Sequence, residues 1–160
     1  RAALITFNDH PQLSARFTND LTELAAGLAG IKPERGTALY DALIFTLYYF
    51  NGIRGQRVLL LLSDGVDENS KFSFEDALEY ARRSGVAIYP VGLGVSSFSF
   101  AVRQKLDAPA SETGGRAFYI DAAAELAGVY DEIEQELRTR YLIAYASDQT
   151  EQETPRHFKY

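Results

Sequence analysis

None of the 160 residues is cysteine. That excludes disulfides, thiolate metal sites and a cysteine nucleophile. It says little about compartment, because a domain of this size does not need disulfides to hold its core. Methionine is absent as well, and residue 1 is Arg. Histidine occurs twice, at His10 in a turn between two strand-like segments and at position 157 near the C-terminus. Neither has a partner at metal-ligand spacing, so both read as solvated surface residues. No apolar run approaches the roughly 20 residues needed to span a bilayer. Basic residues do not line up along a face, and 22 acidic against 16 basic residues give a net charge of −6. A nucleic-acid role therefore has little electrostatic support. The longest helical stretch is acidic, which argues against a membrane-surface role.

What is present suffices for one core. An apolar content of 46% over this length fits a single globular domain better than two. Within it, five apolar residues, Val58 to Leu62, run straight into Ser63-Asp64-Gly65. An unbroken apolar run of that length reads as a strand buried on both faces, as in parallel sheets. In open α/β sheets, ligands bind beyond the carboxyl ends of the strands. Asp64 stands at that end, on a turn that Gly65 allows to bend sharply, and a carboxylate delivered there can hold a hard cation. Ser-Asp-Gly is equally a common turn composition, so the motif alone leaves both readings open.

Enzyme motifs are sparse. Gly92-Leu93-Gly94 follows a strand, but Ser97 stands where the third glycine of a dinucleotide fingerprint belongs. Ser63 lacks the Gly-x-Ser-x-Gly surroundings of a nucleophile elbow. Asp67 and Glu68 could act as a carboxylate pair, although a solvated loop is the simpler state for them.

A second segment alters the reading of Asp64. Gly36-Thr37-Ala38-Leu39-Tyr40-Asp41 opens a long helical stretch ending near Gly52. Thr37 falls in its capping region, where a hydroxyl can bond exposed backbone N–H groups or turn toward a metal. Asp41, one turn on, either orients the threonine loop or favours the helix N-terminus electrostatically. Glycine-threonine before a helix, followed by a buried strand ending in Ser-Asp-Gly, resembles the von Willebrand factor A domain family. In that family a threonine and an aspartate from these two loops help form a metal-ion-dependent adhesion site, usually occupied by magnesium. The matching residues are Thr37 and Asp64, with Asp41, Ser63 and Asp67 nearby or in the second shell.

The resemblance extends over most of the chain. It implies a doubly wound α/β fold, with a mostly parallel sheet, one antiparallel edge strand and helices on both faces. Residues 2–7 match the family's second strand and 12–17 its antiparallel edge, with Pro11 in the turn between them. A helix is expected over about 18–28. Another is capped by Ser73 with Asp76 in the capping-box position, and Gly85 closes it. Residues 86–91 supply another buried strand, a short helix follows over about 100–106, and 116–120 form a short strand. Leu126, Val129, Tyr130, Ile133 and Leu137 mark a final amphipathic helix. Residues 137–145, Leu-Arg-Thr-Arg-Tyr-Leu-Ile-Ala-Tyr, resemble the bacterial von Willebrand factor A-related subgroup, in which this helix passes into an added strand pair. The expected organisation is therefore a domain over 1–140 and a strand pair over 141–160.

The family's first strand normally ends in Asp-x-Ser-x-Ser, which supplies most of the metal's protein ligands, and no such motif occurs here. By resemblance, that strand belongs upstream of Arg1 and sits between 2–7 and 58–62. The expected order is 12–17, 2–7, an open position, 58–62, 86–91, 116–120. Two unpaired apolar edges would flank that position, to be filled by another segment or chain or removed by closing up. The function implied is a non-enzymatic, adhesion-type module. A magnesium ion, incompletely ligated by this chain, would accept a carboxylate from a protein partner. The subgroup implies an extracellular, periplasmic or envelope location. A scaffolding domain with a degenerate metal site is the alternative. A magnesium-dependent hydrolase using Asp64 and the Asp67–Glu68 pair is a further one.

Overall fold

Alternating residues and a three-residue turn build the first hairpin of the computed structural model, which describes residues 1–31 and 36–139. Strand β1 (Ala2–Phe7) pairs antiparallel with β2 (Pro11–Thr18), Phe7 lying opposite Pro11. Pro11 is thus the first residue of β2, where a strand tolerates the missing N–H. Asp20 caps α1 (Leu21–Ala29), its Oδ1 accepting from the Thr22 N–H at 2.8 Å. The order continues with α2 (Leu39–Tyr49), β3 (Val58–Ser63), α3 (Phe74–Ser84), β4 (Ala87–Leu93), α4 (Phe100–Thr113), β5 (Phe118–Ile120) and α5 (Leu126–Thr139). The described residues fall into two units that meet in sequence between Leu126 and Ala127. The boundary expected at 140 and the strand pair expected over 141–160 lie outside the described residues.

Strands β3, β4 and β5 form a parallel sheet in that order, with Val58 opposite Ala87 and Val91 opposite Phe118. This is the α/β arrangement and strand order that the sequence implies for 58–120. The hairpin β1–β2 is a separate two-stranded sheet. Among the described residues β1 and β3 are not hydrogen-bonded to each other, so the flanking strands do not close up. Instead α2 ties the two sheets to one core. Its Leu39, Tyr40, Leu43 and Leu47, with Phe50 at its C-cap, are buried with Leu61 of β3, Ile88 of β4 and Ala77 and Ala81 of α3. Phe7 and Phe17 from the hairpin pack on the same cluster, and Phe17 stacks on Tyr49 with ring centres 5.2 Å apart. A helix apolar almost all round is what such a position requires.

The capping signals act as expected at α3. Ser73 Oγ accepts from the Asp76 N–H at 3.1 Å, and the Asp76 carboxylate accepts from the Ser73 N–H at 2.9 Å. Gly85 then ends the helix in the left-handed region. Helix α4 is longer than the 100–106 predicted, because it runs through Pro109. That residue forgoes one backbone bond but is buried beside Leu106 and Ala110, and packing outweighs the loss. The Thr113 hydroxyl donates to the Pro109 carbonyl at 2.7 Å, and Gly114 stops the helix.

The two apolar strands of the parallel sheet fare differently. Every residue of β4 from Ala87 to Gly92 is buried. In β3 only Leu61 is buried, and Leu62 is 44% exposed. Both edges of β4 are engaged, one by β3 along its length and the other by β5 over Val91–Leu93 and by the Thr113 hydroxyl of α4, which accepts from the Ile88 N–H at 3.0 Å, whereas β3 has one paired neighbour among the described residues. The open edge gives a direct expectation for hydrogen exchange. Successive backbone N–H groups of β3 point to opposite edges, so alternate amides over 58–63 should be protected and the others exchange quickly. Ile88 to Val91 should show slower exchange overall. Uniform protection along β3 would mean that its outer edge is covered in solution.

Candidate functional site

Helix α2 begins with backbone N–H groups that no preceding turn can satisfy. Its N-cap position is Ala38, which has no side-chain oxygen to offer. The cap comes from the loop between β3 and α3. Asp67 Oδ1 accepts from the N–H of Leu39 at 2.7 Å and of Tyr40 at 3.2 Å. Ser70 Oγ accepts from the N–H of Tyr40 at 3.0 Å and of Asp41 at 3.1 Å, and donates to Asp67 Oδ1 at 2.5 Å. A carboxylate at a helix N-terminus also meets the positive end of the helix dipole. Asp67 is therefore a half-buried cap rather than a solvated loop residue, and it is not free to pair with Glu68 as a second carboxylate.

The tie runs both ways. The Thr37 carbonyl accepts from the N–H of Glu68 at 2.8 Å and of Asn69 at 3.0 Å. The Asp41 carboxylate accepts from the N–H of Lys71 at 2.9 Å and of Phe72 at 3.0 Å. Thr37 thus joins the loops through its backbone, and the cap expected of its hydroxyl is supplied by Asp67 and Ser70. Asp41 holds the opposite, β3–α3 loop through these bonds, whereas the sequence suggested it would orient the threonine loop. Gly36, at φ 92°, has a backbone conformation that residues with side chains rarely adopt, and a Cβ here would have to displace the Asn69 side-chain amide.

Asp64 lies at the carboxyl end of β3 and is exposed. Its Oδ1 accepts from the Val66 N–H at 3.0 Å, and Ser63 Oγ accepts from the Gly65 N–H at 3.0 Å. These are local turn bonds that set the carboxylate at the strand's end. Gly65 between them is buried at φ 77°, and a Cβ there would come within 2.6 Å of Val102 Cγ1 on α4. Lys105, also from α4, places its ammonium 5.7 Å from the Tyr40 ring centre. The nearby Tyr40 hydroxyl, and after it the Asp67 and Glu75 carboxylates, hold the Lys105 pKa above its ordinary value. The Tyr40 contact falls short of hydrogen-bond geometry and is electrostatic.

Thr37, Asp41, Ser63, Asp64 and Asp67 thus lie in or at the borders of two loops clasped by hydrogen bonds at the carboxyl end of β3. Sequence reasoning missed Ser70 and Asn8, whose carbonyl accepts from the Ala38 N–H at 2.6 Å. Their partners lie about 30 residues away, and no local spacing signals them. Among the described residues, no three His, Cys, Asp or Glu side chains gather as a metal-holding group. The available donors are hard oxygens, with an exposed carboxylate at the strand end, Asp64, and another further along the loop, Glu68. Such a set suits magnesium, which keeps several waters, as part of a larger ligand sphere.

The model of one family, the von Willebrand factor type A domain, matches residues 1–132. Among solved structures, the chain is similar to the vWF domain of the type V pili tip protein Mfa5 from Porphyromonas gingivalis. The identity is 13%, the TM-score 0.72, and 91% of this chain and 82% of that one are covered. It is similar to the conserved hypothetical protein BatB from Bacteroides thetaiotaomicron at 16% identity and TM-score 0.63, over 86% and 79% of the two chains. Proximal thread matrix protein 1 from the mussel byssus matches at 21% identity and TM-score 0.65, over 82% of this chain and 33% of that one. At these identities the likeness concerns the fold. No curated protein matches the chain.

The clasp carries its own test. Asp67→Ala should cost about 1–2 kcal/mol in urea unfolding, as loss of a helix cap does. Ser70→Ala should cost less in that background than in the wild type, because the Ser70 hydroxyl also donates to Asp67 and that part of its contribution is lost with the carboxylate. Strict additivity would show that they do not act as one cap.

Proposed function

The chain belongs to the von Willebrand factor type A domain family, and from that premise we propose that it is a protein-binding module using a divalent cation at the loops of Thr37 and Asp64. Domains of this family are usually protein-interaction or adhesion modules. The observation that carries the finer reading is the clasp itself. It holds the threonine loop against the loop bearing the exposed Asp64, at the strand end where open α/β sheets bind ligands.

In this reading the Asp64 carboxylate and the Thr37 hydroxyl hold magnesium, with Ser63 beside them. When bound, the ion supplies an under-neutralised hard cation able to accept a partner's carboxylate. Asp41 and Asp67 stay on backbone N–H groups and keep the two loops in register. Around this face the β4–α4 loop, which leaves the same end of the sheet, exposes Phe98 at 94%, and the start of α4 exposes Phe100 at 77%. Apolar side chains so exposed supply contact area around a single charged contact. An extracellular, periplasmic or envelope location accords with the pilus tip protein among the structural neighbours. Among the described residues, no helix is long and apolar enough to cross a membrane.

The scaffolding reading has one observation in its favour: two of the carboxylates at this face, Asp41 and Asp67, already serve the fold, leaving fewer for a metal. The hydrolase reading loses its carboxylate pair to the α2 cap.

Manganese, as a paramagnetic stand-in for magnesium, separates these readings by NMR. Amide signals of residues 37 and 63–66 should broaden first, and Asp64→Ala should abolish the effect without changing the rest of the spectrum. Magnesium affinity of the chain itself should be weak, with Kd about 1 mM or weaker, because one carboxylate and one hydroxyl are few ligands. Broadening elsewhere, or none, would favour the scaffolding reading. Tight magnesium binding would refute the incomplete ligand set.

A further inference from the structure

Beside the two loops, a cavity of about 620 Å³ opens between the β1–β2 turn, α2, the β3–α3 loop and α3. That size lies within the range of small-molecule sites. Four aromatic side chains line it: Phe45 and Tyr48 from α2, Phe72 from the loop and Tyr80 from α3. Asp41, Ile44, Phe45 and Tyr48 recur at helical spacing and share one face of α2. Leu39, Leu43 and Leu47 point into the core, so the cavity face is the part of this apolar helix that the core leaves uncovered. Tyr48 is 65% exposed.

The charges at the cavity select its occupant. Asp9 from the turn contributes an exposed carboxylate, and Asp41 from α2, whose Oδ1 is held by two backbone N–H groups, contributes its remaining oxygen and its negative charge. Aromatic faces carry negative potential and attract cations. Lys71 also lines the cavity, but its side chain is exposed on a flexible stem while Asp41 holds its backbone N–H. His10 Nδ1 lies 3.1 Å from Asp9 Oδ1, with both side chains more than half exposed. An anionic ligand would meet two carboxylates there, and the net charge of −6 steers cations toward the protein as a whole.

We propose that this cavity binds an arginine side chain, flanked by apolar residues, from a partner protein. Guanidinium suits it better than ammonium, because it is planar, weakly hydrated and stacks on aromatic rings. The volume exceeds one side chain, which leaves room for an apolar neighbour against Ile44 and Phe72. The binding needs no metal, so the inference stands apart from the cation site at Asp64.

The test uses the full chain in EDTA, observed by NMR during titration with the blocked peptide acetyl-Leu-Arg-Leu-amide. Two control peptides carry citrulline, a neutral isostere, or norleucine in place of arginine. The arginine peptide should shift signals of residues 41–48 and 71–72, and citrulline should weaken binding about tenfold. Tyr48→Ala and, separately, Asp9→Asn should each weaken it severalfold; both residues are exposed, so the fold should persist. Equal binding of all three peptides would overturn the proposal in favour of a purely apolar groove. Absence of shifts at these residues, or binding indifferent to both substitutions, would also overturn it. Failure of manganese to broaden the Asp64 loop would leave this result untouched.

Discussion

Three backbone N–H groups at the start of α2 have no partner within their own segment, and an aspartate and a serine from a distant loop receive them. Unsatisfied buried donors are costly, on the order of 1–3 kcal/mol each. The helix can therefore sit in the core only while that loop is in place. The reverse bonds, from Thr37 and Asp41 to the loop's own N–H groups, make the dependence mutual. Helix position and loop conformation are then a single structural fact.

That coupling decides what the loops can do. A carboxylate engaged with two backbone N–H groups and a hydroxyl has little capacity left for a ligand, and this is the state of Asp67. Asp64 makes only a local turn bond and remains exposed, so the acidic loop divides its labour between a structural and an available carboxylate. The cost of a rigid face is thus met by residues other than those offered to a partner. The same helix contributes to both surfaces considered for binding, since its first turn anchors the clasp and its outer face lines the aromatic cavity.

The sheet shows the complementary constraint. β4 is buried from Ala87 to Gly92, with β3 on one edge and β5 and α4 on the other, whereas β3, equally apolar, keeps one open edge among the described residues. Burial of a strand depends on its neighbours, and composition cannot report them. The hairpin and the parallel sheet share a core through α2 without sharing a hydrogen bond in the described residues.

Much of this was legible along the chain. The run from Val58 to Leu62, the capping box of Ser73 and Asp76 and the glycine stops are local signals, because the period of apolar residues and the cap chemistry act within a few positions. The same holds for the placing of Thr37 and Asp64 at element ends. Helix α4 escaped in part, since Pro109 reads locally as a breaker and only its burial shows why the helix continues. The roles of Asp67, Ser70 and Asp41 escaped for a related reason. Their partners lie about 30 residues away, and a side chain's hydrogen bonds across that distance depend on how the elements pack. Local periodicity and turn chemistry thus account for most of the elements, for their order and for the family resemblance. Only the tertiary structure decided which carboxylates are tied down and which stay available, because that choice is made by neighbours brought together in folding.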